Sequence, residues 1–206
     1  MYALVEDGSI TKYFSGNRGI TIGAIQYPKA IFSLWTKSQR EAIGIYEIVW
    51  DNSKKKDEAW YINTNQSFAF ANGKVTASYG DATAKKHADT LWTAQDESDG
   101  RGTEGELAYR GLKYNLIQTV KQQAAAELSR TDWYVIRKTE KSTAIPSAIT
   151  DHRNAVRTKQ AEMETAITNA SDTPALETLY TYVNTADEGD PVVMERPLGN
   201  LPILES

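Results

Sequence analysis

The residues that most resemble a chemical motif lie in the middle of the chain, where 100–105 follow the pattern G-x-G-x-x-G. In dinucleotide-binding proteins such glycines bring backbone amides and a helix N-terminus against a pyrophosphate. Here the preceding residues 95–99 are polar and acidic instead of forming a buried strand, and their carboxylates would repel a pyrophosphate. We therefore predict no nucleotide cofactor and interpret 95–105 as an acidic, glycine-rich linker.

The other candidates for metal or catalytic chemistry lack the partners that such chemistry needs. Four residues of the acidic segment could attract calcium but miss the EF-hand spacing: Asp96, Ser98, Asp99 and Glu104. Neither His87 nor His152 has a second histidine at helical spacing, the chain has no cysteine, and no G-x-S-x-G pattern occurs. The sequence therefore predicts no metal site, no cofactor and no enzymatic activity.

The composition is typical of a soluble, folded protein that completes its apolar core by contacts with partners. The chain has 206 residues, a formal net charge of −4, and 5 Trp and 11 Tyr against 4 Phe. Trp and Tyr combine an apolar body with a polar tip, which suits interfaces. The acidic balance and the lack of a long apolar run or signal-peptide pattern lead us to expect no nucleic-acid partner and no membrane.

An α+β fold is predicted, in which residues 1–94 form a small, mostly antiparallel β-rich attachment domain. Asp7-Gly8 and Asn72-Gly73 each separate two β-prone runs and are typical of two-residue hairpin turns. Strands are expected at 2–5, 9–14, 19–27, 45–50, 59–63, 67–71 and 74–79, with a helix at 29–42 and a short alanine-rich helix at 80–92.

The second half, 106–187, is predicted to be a helical module, followed by an extended tail at 188–206. Thr103 and Glu106 have the spacing of a capping box for a first helix that ends near 129. Further helices are expected after Thr131, from Pro146 to about 170, and from Asp172. The helix after Pro146 carries a narrow seam of Ile149, Val156, Met163, Ile167 and Ala170. Such a seam favours packing against other helices and suggests self-association.

The aromatic residues of the β-rich domain allow two interpretations, a sugar-stacking platform or the core of the domain itself. They are Trp35, Trp50, Trp60, Tyr61, Phe68 and Phe70. Alternating aromatic residues in strands favour the core. Solvent exposure of Trp50 or Trp60 would favour the platform.

One segment resembles a module of tailed-bacteriophage proteins. Residues 127–140 read ELSRTDWYVIRKTE, a proline turn follows at 144–146, and Arg153 and Arg157 stand four residues apart. This arrangement resembles the tail fibre and tail fibre assembly (chaperone-like) proteins found in marine phages, over about residues 105–170. The chain departs from that pattern at His152, where the family has an aromatic tyrosine. Residues 46–50 and 61–65 also look like what precedes this module in some marine phage proteins.

The residues of this module also predict a structural role by themselves. Trp133 can cover a junction between two helices, the second of which begins at Thr131 or Asp132. Asp132 is the expected cap, and Arg153 or Arg157 is the expected ion partner of Asp132. If the indole ring is buried, Trp133→Ala should cost about 3–5 kcal/mol, as large aromatic truncations do. These five residues are the predicted helical junction and interaction site.

The resemblance implies a structural component of a bacteriophage tail, in the baseplate, as an adaptor or with a fibre, present in the virion after assembly in the host bacterial cytoplasm. One alternative is a tail fibre assembly chaperone that the virion does not retain, and a second is a host-receptor or glycan-binding module. The expected partners are other tail proteins and further copies of the chain, with a trimer as one form. The tail is expected to bind a neighbouring subunit through Pro191, Val192, Val193, Pro197, Leu198 and Pro202.

Overall fold

The computed structural model describes residues 1–64 and 66–204, and it confirms the α+β class. The chain forms two compact units, of which the first is Met1–Thr83 and the second begins at Ala84. Strands dominate the first unit and helices the second. The predicted boundary at 94/95 differs from this division by about ten residues, because 84–94 fold with the second unit. Asn65 and the last two residues of the predicted tail lie outside the described residues.

The first unit is built on a five-stranded sheet in the order β2-β1-β5-β8-β7. Its elements are β1 (Tyr2–Glu6), β2 (Ser9–Phe14), β3 (Ile20–Ile22), β4 (Ile25–Tyr27), α1 (Ile31–Leu34), α2 (Lys37–Glu41), β5 (Ile45–Asp51), β6 (Tyr61–Ile62), β7 (Ser67–Ala71) and β8 (Lys74–Ser78). A further short strand, β9 (Thr83–Ala84), follows.

Both predicted hairpins are confirmed. Asp7 and Gly8 have φ of 49° and 76°, and Asn72 and Gly73 have φ of 50° and 69°, which is the left-handed conformation that such turns require. The sheet is mostly antiparallel, as predicted, and the one exception among its pairings is that of β5 with β8, which is parallel. The long connection that contains β7 brings β8 back beside β5 in the same direction, and the hairpin then places β7 at the edge.

Apolar residues cover both faces of this sheet. Ala3, Val5, Ile48, Val75 and Ala77 form one buried cluster, and Leu4, Ile20, Ile31, Phe32 and Ile45 form the other. In the first cluster the sheet curls onto itself, and Tyr13 of β2 and Phe68 of β7 bring their ring centroids to 4.9 Å. The second is covered by β3, β4 and α1. Residues adjacent along a strand therefore belong to different cores.

Two local predictions in the first unit are wrong because a turn interrupts them. Residues 19–27 form the hairpin of β3 and β4 instead of one strand. Residues 29–42 form two short helices, since the chain is extended at Trp35 and Thr36 then begins a new capping box with Gln39.

The second unit is a group of helices with two pairs of short strands. Its elements are β10 (Thr90–Leu91), α3 (Ala94–Ser98), β11 (Leu107–Tyr109), α4 (Leu112–Ser129), α5 (Asp132–Lys141), α6 (Ser147–Asn169), α7 (Thr173–Tyr180), β12 (Val183–Asn184) and β13 (Met194–Glu195). The strands pair as β10 with β11 and β12 with β13. The predicted seam of α6 is confirmed as buried, together with Val120 and Ala124 of α4. Because this chain covers the seam itself, the seam is not free for another copy.

The segment between the predicted domains is folded. Residues 80–92 contain no helix, and 95–105 contain α3, which begins with a capping box between Thr93 and Asp96. The backbone N–H groups of Trp92 and Gly105 then bond to the carbonyls of Glu106 and Trp92, at 2.9 and 3.0 Å. These bonds extend the pairing of β10 with β11. The linker prediction is therefore not supported by this region's structure.

The predicted capping box at Thr103 and Glu106 does not begin a helix. The Glu106 N–H bonds to the Thr103 carbonyl in a turn, and β11 follows. Helix α4 begins only after Gly111, whose N–H donates to Asp89 at 2.8 Å. A Cβ at Gly111 would collide with the Ala88 carbonyl, so this close approach needs glycine.

The described part of the C-terminal tail folds back on the second unit. Leu198 is buried and its N–H donates to the Leu179 carbonyl at 3.0 Å. The Leu204 N–H donates to Glu127 at 2.9 Å, and β13 pairs with β12. The described tail residues are therefore ordered by contacts within this chain, and the expected binding of a neighbouring subunit stays a prediction. None of the helices in the described chain combines the length and hydrophobicity that a membrane crossing needs.

Candidate functional site

The predicted helical junction is organised by the buried guanidinium of Arg153, which projects from α6. Its Nη1 donates to the Leu128 carbonyl at 2.8 Å and to the Thr131 hydroxyl at 2.7 Å. The same nitrogen lies 2.9 Å from Oδ1 of Asp132. Leu128 belongs to the last turn of α4, where carbonyls have no partner within the helix. A cation there donates to such a carbonyl and also lies at the negative end of the helix dipole.

Thr131 connects the two helices through its buried hydroxyl, which accepts from Arg153 and donates to the Leu128 carbonyl at 3.0 Å. The prediction that Asp132 caps α5 is wrong. Asp132 is the first helical residue, and Thr131 occupies the cap position without a side-chain capping bond. The carboxylate of Asp132 pairs with Arg153 instead, where a negative charge also suits a helix start. The predicted ion pair is therefore present, and Arg153 is its cation.

Arg157, the other candidate cation, has a different environment. Its side chain is exposed, and its Nη1 lies 3.4 Å from the backbone carbonyl of Arg153, one turn earlier in the same helix. The two arginines therefore divide into one that holds the junction and one that faces solvent.

Trp133 does not cover the junction, because 49% of its surface is exposed. Its ring lies over that of Tyr134, with centroids 3.7 Å apart, and the guanidinium of Arg137 lies 4.7 Å from the indole centroid. Val135 and Ile136 are 40% and 56% exposed. No residue of helix α5 is fully buried. Arg153 holds the start of the helix, while its apolar side chains remain largely in solvent.

A second cluster lies around Glu127, one turn before the junction. Its carboxylate accepts from the Leu204 N–H and lies 3.0 Å from Arg130. Nε2 of His152 lies 3.1 Å from Oε1 of Glu127, although the ring is not oriented to form a hydrogen bond with it. The Leu204 N–H is the main reason that the pKa of Glu127 lies below its ordinary value, with Arg130 and His152 adding to the effect against partial burial.

Sequence reasoning did not connect Glu127 with Leu204, because 77 residues separate them and Leu204 belongs to no motif, although Glu127 begins the segment 127–140. The one available signal was His152, where the resemblance predicts tyrosine. Within the described chain no three His, Asp or Glu side chains gather as a metal site would need.

A concave surface in the second unit has the aromatic and polar groups of a small binding pocket. A cavity of about 430 Å³ lies against Trp92, Tyr109, Asp96 and Arg101. The two ring centroids are 5.7 Å apart, and Tyr109 is 66% exposed. A Cβ at Gly102 would collide with the indole of Trp92, so this glycine of the G-x-G-x-x-G pattern makes room for a ring and not for a phosphate.

The acidic side chains beside this cavity are already engaged. Asp96 and Asp99 lie 3.2 and 3.3 Å from Arg101. The pKa of Asp96 is lowered first by the hydroxyl and N–H of Thr93 and then by Arg101. Two carboxylates of the acidic segment therefore pair with the guanidinium of Arg101.

The aromatic residues of the first unit are mainly core, as the sequence favoured. Trp60 and Tyr61 are buried, and Phe68 and Phe70 pack on the first sheet cluster. Trp50 is half exposed, but it also packs edge-on against Phe68, with centroids 6.3 Å apart.

The tail residues predicted to bind a partner separate into two groups. Pro191, Val192, Val193 and Pro197 are exposed. Leu198 is buried and Pro202 is half-buried within this chain. Val192 and Val193 lead into β13, so the exposed group belongs to the β12–β13 pair and the covered group to the segment that follows it.

None of the protein-family models, curated proteins or solved structures with which the chain was compared matches it.

Replacing Arg153 tests the junction. We expect Arg153→Met to lower the free energy of unfolding of the second unit by about 2–3 kcal/mol, because the Leu128 carbonyl, the Thr131 hydroxyl and Asp132 lose a charged donor. Arg157→Met, on the same helix, should change it by less than about 0.5 kcal/mol. Urea unfolding followed by helical circular dichroism measures both. Equal losses in these two variants would contradict the assignment.

Trp133→Ala should lower the free energy of unfolding by much less than the cost of a buried ring, which is about 3–5 kcal/mol.

Acid should release the chain end from Glu127. A carboxyl whose pKa is lowered on folding stabilises the fold above its unfolded pKa, about 4.3, and this contribution is lost as the pH falls through the lower folded value. The hydrogen-exchange protection factor of the Leu204 amide should therefore fall as the pH is lowered from neutral through the folded pKa of Glu127, which lies below its ordinary value. Glu127→Gln should weaken this dependence, whereas Glu164→Gln should preserve it. Unchanged protection in Glu127→Gln would show that the carboxylate does not hold Leu204.

Proposed function

We propose that this chain is a non-enzymatic structural protein of a bacteriophage tail, in the baseplate, as an adaptor or with a fibre, which joins other tail proteins through surface contacts. The setting comes from the resemblance of residues 105–170 to tail fibre and tail fibre assembly proteins. The observation that carries the attachment role is helix α5, which is fixed at its start by Arg153 and yet exposes Trp133, Val135 and Ile136.

A firmly held helix with exposed apolar residues is what a binding surface needs. Contiguous exposed apolar groups mark interaction sites in soluble proteins, and tryptophan and arginine are frequent among the residues that dominate binding energy. Because Arg153 fixes the start of α5 before any partner arrives, less conformational entropy is lost on binding. The alternative of an assembly chaperone uses the same surface, and the two roles differ in whether the finished virion retains the chain.

Mass spectrometry of purified particles from cells that produce the chain tests this proposal. A structural protein is expected in the particles at constant stoichiometry, whereas a chaperone is absent from particles whose fibres it helped to form. Particles and fibres that form normally without the chain would overturn both roles.

The surface is tested in the same particles with Trp133→Ser/Ile136→Ser. This variant should fold and be lost from the particles, because its apolar contact is removed. The matched control is Leu34→Ser, which changes a residue of the first unit that is also exposed. Equal incorporation of both variants would show that α5 is not the attachment surface.

A second candidate function, saccharide binding, is favoured by the cavity beside Trp92 and Tyr109. Aromatic rings offer a flat apolar face, and Asp96 and Arg101 offer a hydrogen-bond acceptor and donors at its edge. On a glycan array, Tyr109→Ala should lose binding that Tyr182→Ala retains. The absence of binding by the unmodified chain, or its persistence in Tyr109→Ala, would exclude this site.

A further inference from the structure

The aromatic wall of the cavity beside Trp92 and Tyr109 is already in position without a ligand. The Trp92 N–H donates to the Glu106 carbonyl at 2.9 Å, and the Gly105 N–H donates to the Trp92 carbonyl at 3.0 Å. The indole also lies close against Gly102, where a Cβ would collide with it. Tyr109 is tilted by 58° from the indole and is 66% exposed. A ligand with a flat apolar face can therefore stack on rings that lose little freedom when it binds.

The polar edge of the cavity places a hydrogen-bond acceptor beside a donor. Oδ1 of Asp96 lies 3.2 Å from Nη1 of Arg101, and both residues line the cavity together with Thr90. The side chain of Arg101 is 62% exposed, so guanidinium N–H groups remain accessible to a ligand. A hydroxyl group both donates and accepts. Two neighbouring hydroxyls of a sugar ring can therefore bond to this pair without adding a charge.

The segment that forms the cavity carries an excess of negative charge. Between residues 90 and 109 the sequence has five carboxylates against one cation, Arg101, which is a net charge of −4. Asp89 and Arg110, on either side of the segment, pair with each other at 2.7 Å and add nothing to this excess. The five carboxylates are those of Asp96, Glu97, Asp99, Glu104 and Glu106.

These carboxylates belong to residues that contact the cavity or its lining. Asp96 lines the cavity, Asp99 lies 3.3 Å from Arg101, and the Glu106 carbonyl bonds to Trp92. The Glu104 N–H donates to the carboxylate of Glu97 at 3.2 Å, which holds these two acids together. Charges act on each other over about 10 Å at 0.1 M salt, so a carboxylate needs no direct contact to repel an anionic ligand.

We propose that this cavity takes an uncharged sugar ring and excludes acidic saccharides, such as those that contain uronic or sialic acids. The inference rests on the proposed saccharide binding by the same cavity and names the class of sugar. The two aromatic rings bind the apolar face of the sugar, and Asp96 with Arg101 binds neighbouring hydroxyls. A carboxylate on the sugar is repelled by the acidic residues of the segment.

Paired glycans that differ in one group test the inference on the full chain. The probes are oligosaccharides of glucose, galactose and mannose, each compared with its form oxidised at C6, in which a carboxylate replaces the hydroxymethyl group. At low ionic strength a neutral probe should bind at least tenfold more tightly than its oxidised form, about 1.4 kcal/mol. The difference should shrink as salt is added, because salt screens the repulsion.

A charge reversal that leaves the backbone bonds intact gives the decisive result. Glu104→Lys/Glu106→Lys changes two exposed side chains whose residues hold the segment together through N–H and carbonyl groups. It should raise the affinity for the oxidised probe about tenfold. The matched control is Glu188→Lys/Asp190→Lys, which changes the net charge equally at exposed residues between β12 and β13 and should keep the exclusion.

Three results would overturn the inference while saccharide binding stands. The oxidised probes bind as tightly as the neutral ones, the exclusion persists in Glu104→Lys/Glu106→Lys, or the control variant relaxes it equally. If no probe binds, or if Tyr109→Ala binds the probes as the unmodified chain does, the saccharide site fails and the inference fails with it. The incorporation of Trp133→Ser/Ile136→Ser into particles does not depend on these results, so the role of α5 is judged separately.

Discussion

A guanidinium that is removed from water needs acceptors at fixed positions around it, and for Arg153 those acceptors are the end of one helix and the beginning of the next. This requirement sets where α4 stops and where α5 starts, relative to α6 beside them. The packing of α4 on α6 then buries the apolar seam, and Glu127, which lies next to the junction and beside His152, accepts the Leu204 N–H of the returning chain end.

The same constraint explains how the second unit can be well packed and still expose apolar residues. The core lies between α4, α6 and α7, and helix α5 adds nothing buried to it. Its side chains therefore contribute little to folding, which leaves Trp133 and its neighbours available for contacts outside the unit. The β12–β13 ribbon is in a similar position, since the segment after it, and not the ribbon, carries the buried Leu198.

Features fixed by short-range chemistry could be predicted from the sequence. Asn72-Gly73 identified its hairpin because few other residues adopt two positive φ angles, and the α6 seam was visible as spacing along one helix. The burial of Arg153 and the contact of Glu127 with Leu204 depend on which distant segments meet, and no local pattern records this. Trp133 was expected to be covered because tryptophan is large and apolar, but half of its surface is exposed, and its ring lies against Tyr134 and Arg137 of the same helix. The assignments of partner, virion location and lack of catalysis stay predictions.

The contact between Glu127 and Leu204 also has a consequence for the order of events during synthesis. Their separation of 77 residues corresponds to roughly 4–15 seconds of translation at typical rates. During this interval the residues of the first unit are all available, whereas the second unit lacks the segment that closes on Glu127. The two halves of the chain therefore reach their final form at different times, and the surfaces of the second half are completed last.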